Sequence, residues 1–100
     1  MTTAAITTVS AARAAANAWL LAHLPDRFAV GIPAYDPTLP GWRVPVWLSY
    51  PHLAPLGPVG EMCLEAQQGA VTAHTAIAEM KERAWKLYEQ HREQIDAPLL

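Results

Sequence analysis

A single cysteine, Cys63, stands in this chain of 100 residues, so no internal disulfide can form. Small secreted domains are usually stapled by several such bonds, and a lone thiol points to a reducing, cytoplasmic setting. Cations are scarce as well. The two Lys and five Arg (positions 13, 27, 43, 81, 83, 86 and 92) are scattered, and the formal net charge is -2. Nucleic-acid affinity rests on clustered cations that neutralise phosphates, so nucleic acid is not an expected partner. Long apolar runs are missing too. The stretch Ala14 to Leu24 is interrupted by Asn17 and His23 and stopped by Pro25, too short for a bilayer. The first basic residue is Arg13, so the charged start of a signal peptide is absent. No membrane partner is expected.

Catalytic and cofactor motifs are equally missing. His23, His52, His74 and His91 form no HxxxH or HExxH pair, so a helix-borne zinc site lacks its spacing. The Gly-Pro segments contain neither a phosphate loop nor GxGxxG, and neither Ser10 nor Ser49 sits in GxSxG. Cys63 alternates with Glu61 and Glu65, whose charges would oppose thiolate formation, so a structural thiol is the better reading. The same two carboxylates lie four residues apart along a strand, about 13 Å, too far for a retaining glycosidase pair. The sequence thus predicts no catalytic residue, no metal ligand and no cofactor. An enzyme pairing a carboxylate with a histidine from distant segments is the weakest alternative.

What is present is apolar mass of a particular kind. Hydrophobic residues make up 52%, yet 19 of them are Ala, and Leu, Ile, Val and Phe number only 22. Four Trp, three Tyr and three Met add bulk to a thin core. One small folded domain is expected over 10–95, with residues 1–9 as a loose tail and 96–100 as an apolar C-terminal tail. Ser10 offers a cap to an Ala-rich helix whose stripe is Ala12, Ala16, Trp19, Leu20 and Leu24, ended by Pro25. Phe28, Val30 and Ile32 alternate as a short strand, and the prolines of 33–41 read as a loop.

The clearest signal is WRVPVWLSY. Trp42, Val44, Val46, Leu48 and Tyr50 fall on one face, and Arg43, Pro45, Trp47 and Ser49 on the other, the pattern of a half-buried strand. Pro45 cannot donate to a ladder, so in a central strand it needs a gap in pairing or a bulge. Residues 51–60 read as a second loop, Met62, Leu64 and Ala66 as the inward side of a third strand, Gly69 as a turn, and 70–73 as a short fourth strand. Thr75 then caps a long helix over 76–95 striped by Ile77, Met80, Ala84, Leu87, His91 and Ile95. The predicted fold class is α+β: an N-terminal helix, a three- to four-stranded antiparallel meander and a long C-terminal helix.

Trp42, Val44 and Val46, then Val59-Gly60-Glu61, then Gly69 and Val71 give the middle of the chain a resemblance to PepSY modules. Those small domains lay an N-terminal helix across an antiparallel meander. The match spans residues 11–73 and departs at Ala66-Gln67-Gln68, where that family commonly has an Asp and a Thr before the glycine. The resemblance implies a non-catalytic binding or inhibitory module.

The expected function is protein contact, as a homodimer or as a regulator-like or antitoxin-like partner of a larger protein. The expected interaction surface is Trp47 on the sheet, Trp85 and Tyr88 on the second helix, and Ile95, Leu99 and Leu100 at the end of the chain. Trp47 is either covered by the second helix or presented to a partner. The alternative is a pocket for a small apolar ligand between the first helix and the sheet, lined by Trp19, Trp42 and Tyr50.

Overall fold

A computed structural model describes residues 5–51 and 53–96. Its elements run α1 (Val9–His23), β1 (Phe28–Val30), β2 (Ala34–Asp36), β3 (Gly41–Leu48), β4 (Gly57–Glu65), β5 (Val71–His74), α2 (Ile77–Gln90) and α3 (Arg92–Asp96). The fold class is α+β, as the sequence predicts. One antiparallel sheet carries the order β1-β3-β4-β5, with β2 paired to the same edge of β3 as β1.

Strand β3 is the spine of the sheet. Trp42, Val44, Val46 and Leu48 are buried on one face, while Arg43 is exposed and Pro45 and Trp47 are half-buried on the other. Pro45 sits in the gap that its chemistry demands. β1 pairs with Val46 to Leu48 and β2 pairs with Gly41 to Arg43, so neither strand is paired opposite Pro45. The Gly31 amide donates to the Pro45 carbonyl at 2.8 Å. A strand residue points its nitrogen and carbonyl to the same side, so the missing N–H faces this interruption. On the opposite edge β4 pairs along the whole of β3, with a shift between Val46 and Trp47 that leaves Val59 as an extra residue.

Both helices cover the buried face. α1 contributes Ala12, Ala16 and Leu20, and α2 contributes Met80 and Ala84, to one cluster with the inward residues of β3 and β4. Alanines let α1 come close to the sheet. Gly60 does the same for α2, since a Cβ there would lie 2.8 Å from Met80 Cγ and from the Thr75 side chain. Thr75, just before α2, and Arg83 within it also close the edge of β4 that β5 leaves open. The Thr75 amide donates to the Glu61 carbonyl at 2.9 Å, and Arg83 Nη1 donates to the Val59 carbonyl at 3.3 Å.

Several expectations need correction. The cap of α1 is Thr8, whose Oγ1 accepts the Ala11 amide at 3.0 Å, rather than Ser10. Residues 6–9 are not loose: Ile6 packs against the core, its amide donates to the Ala66 carbonyl at 2.7 Å, and its carbonyl accepts Trp42 Nε1 at 3.0 Å. The expected loop over 33–41 contains β2, and the expected loop over 51–60 gives its last four residues to β4. Ile32 lies beyond β1 and is 76% exposed. Thr75 does not cap α2, because its hydroxyl accepts the Glu61 amide at 3.0 Å and so extends the sheet. The long C-terminal helix is moderate in length, ending at Gln90, with α3 following His91.

Candidate functional site

Trp85 is the most exposed aromatic side chain on the described surface, at 59%. Its place follows from the helix repeat. Met80 and Ala84 turn inward and Leu87 packs partly against the core, so Lys81 and Trp85 fall on an exposed flank of α2, to one side of the inward stripe. Tyr88, half-buried, lies against Trp85 with ring centroids 5.5 Å apart and planes inclined by 24°. On its other side Tyr88 meets Tyr50, centroid to centroid 6.4 Å. The Arg27 guanidinium lies 5.1 Å from the Tyr50 ring centroid, a cation–π distance.

Together with Phe28, Leu48 and Lys81 these groups line an open groove of about 420 Å³. Its chemistry is apolar and aromatic with positive charge at the margin. It holds no buried polar side chain aimed at a ligand: among the described residues no buried side-chain nitrogen or oxygen lacks a partner. Nor do the described residues contain a group of three or more His, Cys, Asp or Glu able to hold a metal ion.

Trp47 occupies a different place. It stands on the sheet face opposite the helices, half-buried, packed so closely on Gly31 that a Cβ there would lie 2.7 Å from its Nε1. With Pro45, Ile32 and Pro55 it lines a cavity of about 510 Å³ at the β1 edge, to which α2 contributes nothing. The second helix therefore does not cover it. The same face carries an ion-pair network. Arg43 Nε lies 2.9 Å from Asp36 Oδ2 and Arg43 Nη1 lies 3.2 Å from Glu61 Oε1. The Thr38 hydroxyl donates to Asp36 Oδ1 at 2.6 Å. That hydroxyl first, and the Arg43 guanidinium next, hold the Asp36 carboxyl down at about 2. Cys63, paired opposite Arg43, is a buried free thiol.

Trp85 and Tyr88 are thus together, whereas Trp47 lies on the other face of the sheet. Ile95 is half-buried in α3, and α3 returns towards the groove through a Tyr88 hydroxyl that donates to Asp96 Oδ2 at 3.4 Å. Leu99 and Leu100 lie outside the described residues. The three side chains expected to line a ligand pocket stand in separate contacts. Trp19 lies between His23 and His74 at 4.3 and 4.6 Å, Trp42 meets the edge of Tyr35 at 5.4 Å, and Tyr50 belongs to the groove. Phe28, Leu48 and Arg27 are groove residues that sequence reasoning missed, because only the sheet register brings the start of β1 beside the end of β3 (Phe28 opposite Leu48).

No family model, no curated protein and no solved structure matches this chain. No helix among the described residues is long and apolar enough to cross a membrane.

Proposed function

We propose that this protein is a non-enzymatic interaction module whose contact surface is the outer flank of α2 with the aromatic groove beside it. One observation carries the reading. Met80 and Ala84 already fix α2 to the core, yet the same helix presents Trp85, 59% exposed and stacked on Tyr88, to solvent. Large aromatic side chains on an exposed flank are the usual anchors of protein interfaces, and truncating an anchor typically costs about 2 kcal/mol or more. The resemblance to PepSY modules supports a binding rather than a catalytic role, as does the absence of a motif that could activate a nucleophile or a water. The partner is a protein, with self-association as the simplest case.

The test is Trp85→Ala, read by size-exclusion chromatography with light scattering beside far-UV circular dichroism. The expected variant is folded and has lost its association with itself or its partner. A folded variant that associates as before refutes the reading, and the Trp47 surface then becomes the candidate.

A further inference from the structure

We infer that the occupant of this surface is a second copy of the chain, with the two α2 helices antiparallel about a two-fold axis beside Trp85. Lys81 of each copy then meets Glu89 of the other. This rests on the reading of α2 as the contact surface and goes beyond it by fixing partner and register.

Lys81, Trp85 and Glu89 follow one another at intervals of four, so they form a single ridge along the exposed flank. The remaining charges of α2 near this ridge are used within the chain. Arg83 pairs with Glu79, and Lys86 with Glu82. Beyond the helix, Arg92 pairs with Asp96, and Arg43 with Asp36 and Glu61. Lys81 and Glu89 take part in no ion pair among the described residues, although both are exposed.

Their positions have a symmetry that a single copy does not use. Each lies four residues from Trp85, on opposite sides and with opposite charge. Turning the helix end for end about Trp85 carries position 81 onto position 89, so the ridge is complementary to itself when antiparallel. A parallel arrangement sets Lys81 against Lys81 and Glu89 against Glu89, and like charges in register repel. Self-complementarity of one patch is what a closed two-fold dimer requires. The antiparallel arrangement also brings the two exposed indoles together at the axis. Sedimentation equilibrium on the wild type, Lys81→Glu, Glu89→Lys and the double variant tests the register, with circular dichroism confirming that each is folded.

The expected wild type is a dimer. Each single reversal weakens dimerisation about tenfold or more, since it replaces two attractions by two repulsions. The double variant restores the pairs with their signs exchanged, and recovers affinity to within about twofold of wild type. A wild type that stays monomeric at every attainable concentration overturns the inference, as does a double variant no better than the singles. A charge exchange without effect, beside a Trp85→Ala variant that dissociates, refutes the register alone and leaves the contact surface standing. Capture of a different protein through Trp85 by a monomeric wild type separates the two in the same way.

Discussion

At the scale of single residues, the two faces of β3 obey different physics. Inward, Val44 and Val46 are fully buried among Leu20, Met62 and Met80, and their contribution is apolar area removed from water. Outward, Arg43 joins Asp36 and Glu61 across strands β2, β3 and β4 in exposed pairs that solvent screens. The pairing has a consequence that can be titrated. Asp36 sits at about 2 in the folded chain against an ordinary 3.8, so folding favours its ionised form. The stabilisation is fully present above 3.8, where both states are ionised, and is lost as pH falls through the folded value. Asp36→Asn is therefore expected to be less stable than wild type at neutral pH, with the gap closing as urea melts are repeated from pH 4 down to pH 2. A gap independent of pH shows that the network contributes nothing through charge.

At the scale of elements, the chain is legible where side-chain period speaks and obscure where backbone geometry decides. The alternation from Trp42 to Leu48 places β3 and its buried face without ambiguity, and steps of three and four place the inward stripe of each helix. Proline and glycine hide the rest. β2 lies between Pro33 and Pro37, and the first half of β4 reads Gly-Pro-Val-Gly. Such segments look like loops because local propensity counts against them, yet they pair because β3 supplies the ladder. The Thr75 hydroxyl has a choice that sequence cannot display, between the first turn of α2 and Glu61, and the sheet takes it. The start of the chain is hidden for the same reason: Ile6 has no period to announce it, but it covers Trp42. Deleting residues 1–9 removes the Thr8 cap, the Ile6 contact and the acceptor of Trp42 Nε1. A cap and one such hydrogen bond are each worth about 1 kcal/mol. The melting temperature is expected to fall by more than about 8 °C, the shift that even ~1 kcal/mol can reach in a domain of this size. A thermal scan showing no change means these residues leave the core untouched.

At the scale of the whole molecule, the sheet has two faces and one layer of helices. Both helices lie over the same face, so the far face meets solvent with Arg43, Glu61 and a half-buried Trp47, a solution open to antiparallel sheets. The buried cluster is continuous from α1 through the sheet to α2, and no buried side-chain polar atom among the described residues goes unpartnered. Such a core does not need a second chain in order to fold, and this separates stability from association. On the proposal that two copies meet through Trp85, association involves the native state only, and linkage then adds stability that grows with the logarithm of protein concentration. Wild-type melting temperature is expected to rise across a hundredfold increase in concentration, by the few degrees that ~1–3 kcal/mol produces. Trp85→Ala keeps the same core, since the side chain it loses lies outside the cluster, so its melting temperature is expected to be flat over that range and close to the dilute wild-type value. Two flat lines remove self-association from the account. Two rising lines place the interface elsewhere than α2. A variant unfolded at every concentration makes Trp85 part of the core, against an exposure of 59%.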